Sequence, residues 1–156
     1  MTPKLPKKWV CIHEAGHAVA SAIAATRVDD WSLDAVIVNA DDKTGHAETS
    51  YDETQLNARH WKLITMLAGP MAEESITGKM HGVGFWDDFM AAEELALEID
   101  KCDPDAVMER YRAMAEKFVS VHRKQIIAVA EFLRSRGRLD GWVVERMCGN
   151  FNWTAR

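Results

Sequence analysis

Cysteine is scarce in this chain, and the little there is follows no pairing pattern. Cys11, Cys102 and Cys148 are odd in number, far apart and form no C-x-x-C. That excludes a disulfide framework and suits reduced thiols, so a cytoplasmic location is expected. Basic charge is short as well: 19 Lys and Arg stand against 24 Asp and Glu, a net charge of -5. A nucleic-acid partner favours a basic surface, so none is expected, and Lys4, Lys7 and Lys8 read as a solvated terminus. No apolar run is long enough to cross a bilayer. Trp9 to Ala25 after the basic start resembles a signal segment, but His13, Glu14 and His17 inside it are incompatible with one, so no membrane insertion is expected. Repeats, low-complexity tracts, an internal linker and a Walker-type Gly-rich loop are all missing. What remains, at 47% hydrophobic and 28% charged over 156 residues, is one domain spanning 1–156, able to bury a core without staples. Residues 150–156 are expected to form a loose tail.

Hydrophobic spacing predicts a mainly α (α+β) fold. The first helix is expected from about Pro6 to Thr26. Trp31 to Tyr51 is rich in β-branched and alternating residues, with a polar turn at Asn39 to Gly45, which predicts a β-hairpin. From Glu53 to Thr77, residues Leu56, His60, Leu63, Ile64, Leu67, Ala68, Met71 and Ala72 follow a helical period. Gly69-Pro70 inside that stretch predicts a kink or a break. Gly78 to Gly84 reads as a loop, followed by a helix from about Trp86 to Lys101. Asp103-Pro104 signals a helix start, and the apolar stripe from Val107 to Leu133 predicts one long helix to Arg136, ended by Gly137. Leu139-Asp140 is expected to open a short last helix.

The chemistry is concentrated in His13-Glu14-Ala15-Gly16-His17. Histidines at i and i+4 share a helix face and can reach one metal ion, while the Glu between them handles its water; this is the pattern of zinc hydrolases. Its flanks, Trp9 to Ile12 and Ala18 to Ile23, are apolar, so these polar groups would sit in a buried helix and be costly to desolvate without a partner. One Zn2+ per chain is therefore expected, held by His13 and His17, with Glu14 as general base. Glu14 lies about 100° round the helix from its neighbour, which keeps its carboxylate free for a proton. Gly16 keeps the helix slim where a second element must approach. A catalytic zinc takes a third protein ligand. His46, His60, Glu73, Glu74, Asp87, Asp88, Glu93, Glu94 and Cys11 are candidates, and spacing does not decide among them. Glu73 and Glu74 could equally support a ligating imidazole from behind. For Asp87 and Asp88 a helix N-terminus is a sufficient alternative reason, for His60 a helical stripe, and for Cys11 a small buried apolar site.

Four segments in order resemble the FtsH-type zinc metallopeptidases. His13 to Val19 resembles their active-site helix, and Leu67 to Gly78 their Leu-Gly-Gly-Arg-Ala-Ala-Glu-Glu segment. Gly84-Phe85-Trp86-Asp87-Asp88-Phe89 is similar to their Gly-Ala-Ser-Asn-Asp-Leu, and Arg138 to Val144 to the stretch before their final helix. The resemblance implies a helical zincin-like peptidase domain with a β-ribbon beside the active-site helix, and it makes Asp88 the third ligand, with Asp87 or Glu74 as alternative ligand or support. It implies a zinc endopeptidase acting on unfolded or exposed protein segments. The strand at Gly45, His46 and Ala47 would offer an edge to an extended substrate; charge that protects such an edge is an equal explanation of its Asp41, Asp42, Lys43 and Glu48. Trp86, Asp87 and Pro70 depart from the family's Ser, Asn and Arg. The family carries membrane helices and an AAA+ ATPase ahead of its peptidase domain; here the His13 to His17 pentapeptide stands near the start and no Walker-type loop occurs, so a standalone peptidase domain is expected. Hence activity independent of ATP is expected, with a homo-oligomer or an ATPase partner acting in trans. The alternatives are a metal-containing binding or regulatory module, and another zincin such as a repressor-clipping peptidase.

Overall fold

Helix α1 (Lys8–Ala24) buries 14 of its 17 residues, the consequence of apolar side chains on every face. It is the central element of the computed structural model, which describes residues 5–39, 43–55, 57–82 and 84–149. The expected tail at 150–156, Leu56 and the turn residues Asp41 and Asp42 lie outside these. The fold is mainly helical with a small antiparallel sheet, as the spacing predicts.

The hairpin pairs β1 (Ser32–Val38) with β2 (Gly45–Ser50), with Val36 opposite Ala47 and Val38 opposite Gly45. A register shift between Leu33 and Ala35 marks a bulge. A third strand, β3 (Arg138–Asp140), joins the other side of β1, giving the order β2-β1-β3. Leu139-Asp140 thus ends a strand that the spacing does not predict, and Asp140 is at the same time the N-cap that opens the last helix. Leu139 is buried opposite Val36, and α6 (Gly141–Met147) starts one residue later. Any side chain at Gly141 would run into the Leu33 carbonyl, so glycine is what lets α6 close onto β1.

Helix α2 (Ala58–Thr77) passes unbroken through Gly69-Pro70 and ends at Gly78, which takes a left-handed φ of 87°. Pro70 has no N–H to give the preceding turn, but both residues are buried against neighbours, and packing outweighs one lost bond. The α1–α2 crossing is tight. A Cβ on Gly16 would lie 2.5 Å from the Ala68 carbonyl oxygen, so the expected slim face meets α2 there.

Helix α3 (Gly84–Ile99) begins two residues before Trp86. The single long helix expected to Arg136 is in fact two, α4 (Pro104–Val121) and α5 (Arg123–Arg136), separated at His122 with φ -101° and ψ 17°. Tertiary packing explains the break: Val107, Tyr111, Ala115 and Val119 bury α4 against α2 and α3, whereas Ile126, Val129, Ala130 and Leu133 bury α5 against α1. One straight rod could not serve both. The start of α4 is as expected, with the Asp103 side chain accepting from the Ala106 N–H at 3.0 Å.

One main hydrophobic cluster runs from Val10 to Cys148, and a smaller one gathers Ala24, Val28, Trp31 and Ala58. Trp31 donates its indole N–H to Ser21 Oγ at 3.0 Å, satisfying the polar end of a buried ring. Among the described residues no helix is long and apolar enough to cross a membrane, and Cys11, Cys102 and Cys148 are all free thiols.

Candidate metal centre

Residues four apart on a helix share a face, so α1 presents His13 and His17 together towards α2 and α3. Each ring is fixed from behind. His17 Nδ1 donates to the Thr65 carbonyl at 2.7 Å, and the ring occupies space that a side chain on Gly69 would fill. His13 Nδ1 lies 2.8 Å from Glu73 Oε2, whose carboxylate is completely buried. With both Nδ1 atoms carrying protons, the Nε2 atom of each neutral ring presents a lone pair.

Those two lone pairs face each other at 3.1 Å, and Asp88 Oδ2 stands 2.8 Å from the first and 3.2 Å from the second. Three electron-pair donors converge on one point, the arrangement a cation relieves. A tetrahedral zinc with bonds of roughly 2.0–2.1 Å spaces its ligands by about 3.3 Å, so two imidazoles and a carboxylate at these separations fit one. Without a metal, protons must play that part. Burial disfavours the charged His13 ring, yet Asp88 and Glu73 raise its pKa to about 10. Burial likewise opposes the charged His17 ring, and Asp88 outweighs it, so its pKa is also raised. Burial pushes Asp88 upward, but His17 and His13 hold it well below the usual carboxylate range.

No protein-family model matches the chain, and no curated protein matches it.

Glu14 lies beside the triad. Burial raises its pKa, against the pull of His17 and His13, and Oε2 is buried with no hydrogen-bond partner among the described residues. An orphaned carboxylate oxygen is costly unless it has a task. The β2 backbone passes directly over it: a Cβ on Gly45 would sit 2.5 Å from Glu14 Cγ, so only glycine fits. The triad and Glu14 open into a cleft of about 680 Å³, walled by Trp9, Trp31, Tyr51, Met66 and Phe85.

Of the other residues singled out in the sequence, Gly45, His46 and Ala47 border this cleft, with Gly45 and Ala47 half-buried and His46 exposed beside Glu48 at 3.4 Å. Asp87 is exposed at the rim. Glu74 is exposed on the outer face of α2, 3.9 Å from Arg112, and takes no part as ligand or support. Its neighbour Glu73 has the supporting position instead, because a step of 100° along α2 turns one inward and the other out. His60 bonds the Tyr111 hydroxyl at 3.0 Å, Glu93 and Glu94 are exposed on α3, and Cys11 is core. Two participants carry no sequence signal: the Thr65 backbone carbonyl, whose role depends on no side chain, and His81, which packs against Glu73.

Proposed function

We propose that this chain is a zinc-dependent endopeptidase, akin to the FtsH-type metallopeptidases, that hydrolyses unfolded or exposed protein segments. One observation carries the proposal: His13 Nε2, His17 Nε2 and Asp88 Oδ2 converge within 3.2 Å beside the buried Glu14, whose Oε2 has no hydrogen-bond partner among the described residues. His13, His17 and Asp88 would hold the ion. Zinc supplies a Lewis acid that polarises a peptide carbonyl and makes water acidic enough to attack near neutral pH.

The chain's own residues supply the rest. Glu14 Oε2 takes the proton from the attacking water and returns it to the leaving nitrogen; its raised pKa suits it to both transfers. Glu73 and the Thr65 carbonyl hold the two rings in the tautomer that presents Nε2. The edge strand β2 lies along the cleft, and an extended substrate can add to it through main-chain hydrogen bonds. An unfolded segment meets that demand and a folded domain does not. Nucleotide has no role in this chemistry, so an ATPase partner would act by delivering substrate.

The test is cleavage of a permanently unfolded protein by zinc-loaded wild type and Glu14→Gln, with zinc content measured on the same samples. We expect equal zinc and a loss of at least about 100-fold in rate, the lower range for a general base. Wild-type cleavage in the variant removes Glu14 from the mechanism. Bound zinc with no cleavage by the wild type favours a metal-containing binding module.

A further inference from the structure

We propose that His81 is a positioning residue of the metal centre, acting on His13 through Glu73. The inference rests on the zinc reading above and concerns the segment that joins α2 to α3.

Glu73 is fully buried and divides its two oxygens. Oε2 takes His13 Nδ1 at 2.8 Å, while Oε1 takes the His81 ring Nδ1 at 2.8 Å and also the His81 backbone N–H. A buried carboxylate with one fixed partner could pivot about it. With donors on both oxygens its plane is set, and with it the plane of the His13 ring. His81 is held in turn. Its ring stacks on Trp9 of α1, with centroids 5.4 Å apart and planes 10° from parallel. Gly82 follows with φ 66°, and a Cβ there would come within 3.0 Å of the Trp9 ring, so the chain turns where only glycine fits comfortably.

The connection matters because Asp88 follows six residues later, in the second turn of α3. The chain thus reaches α1 twice, first at Trp9 through His81 and then at His13 through Asp88. His81 anchors the near end of this span and, through Glu73, sets the far side of the same imidazole that Asp88 faces. Neither a surface role nor a packing role needs both the ring Nδ1 and the backbone N–H on one buried oxygen.

Zinc affinity, measured by competition with a chromophoric chelator, tests this in full-length wild type, His81→Ala, His81→Phe and His81→Asn. The Phe variant keeps a ring to stack on Trp9 but loses the donor; the Asn variant restores a donor near the Nδ1 position. Loss of a group that orients a metal ligand typically weakens affinity about 10–100-fold. We expect the Ala and Phe variants to weaken by about tenfold, and Asn to stay within about threefold, with circular dichroism unchanged. The visible absorption of the cobalt-loaded protein should change in Ala and Phe and return in Asn, which a general loss of stability would not produce. Wild-type affinity in Ala or in Phe defeats the inference while leaving the zinc site intact, and so does equal weakening in all three variants. Failure of the wild type itself to bind zinc defeats the function reading and this inference together.

Discussion

Glycine to alanine in a helix interior ordinarily stabilises a protein by about 1 kcal/mol, because alanine has less backbone entropy to lose. At Gly69 the structure requires the opposite. A Cβ built there falls on the His17 ring, touching Nε2, Cε1 and Cδ2 at less than van der Waals separation. Gly69 is buried in the middle of α2, and α1 is locked against α2 by the Gly16 contact, so the helices cannot separate cheaply. The ring must move, giving up its 2.7 Å bond to the Thr65 carbonyl and its place facing His13 and Asp88. Overpacking of this kind costs about 1–3 kcal/mol. Set against the helix gain of about 1 kcal/mol, the metal-free Gly69→Ala protein should be between unchanged and about 2 kcal/mol less stable. Its zinc affinity should fall by more than the roughly 10–100-fold expected from losing a supporting bond alone, because a ligand itself is displaced. Gly84→Ala is the control, since nothing lies within 4 Å of its Cβ. Chelator competition and thermal melts with and without zinc give both numbers. A Gly69→Ala protein that melts higher and binds zinc as the wild type does would refute the placement of His17.

Other consequences are independent of the metal. Burial lowers the pKa of His122, whose Nδ1 has no partner among the described residues. The unfolded chain then takes up a proton near the ordinary 6.5 before the folded one does, so wild-type stability falls as pH drops below that value; His122→Leu should lose less over that window in denaturant titrations. Burial raises the thiols of Cys11 to about 11 and Cys148 to about 12, while Cys102 is exposed, so native protein at neutral pH should react rapidly with one equivalent of an alkylating agent and with three only after unfolding. Leu139→Ala should cost about 2–5 kcal/mol in chemical denaturation, since the residue is 3% exposed on a strand packed into the core. A cost under 0.5 kcal/mol, the surface range, would mean that β3 is not docked on β1.

Most of the helices and the hairpin are legible in the sequence because their information is local. Apolar spacing marks α2, Asp103-Pro104 marks the start of α4, and the polar cluster after Val38 marks the turn. The misread elements depend on distant partners. His122 is neither Gly nor Pro, and α4 ends there only because the two halves of its stripe face different neighbours. Arg138–Asp140 is too short to show alternation and becomes a strand because β1 has a free edge beside it. Pro70 sends a local signal for a break that buried packing overrides. The site divides in the same way. His13, Glu14 and His17 are legible from spacing on a single helix. Asp88, 71 residues beyond His17, is marked in the sequence only by resemblance. Glu73 and Glu74 differ in which of them faces inward, and only the α1–α2 crossing fixes that.

Zinc K-edge X-ray absorption on protein supplied with one equivalent of the metal addresses the centre most directly. The arrangement of His13, His17 and Asp88 predicts one bound zinc per chain, with only nitrogen and oxygen neighbours at roughly 2.0–2.2 Å and an imidazole scattering pattern from two rings. Asp88→Ala should lose affinity while both imidazoles remain. A sulfur shell near 2.3 Å, or zinc bound with the same affinity and spectrum in Asp88→Ala, would contradict this assignment of ligands.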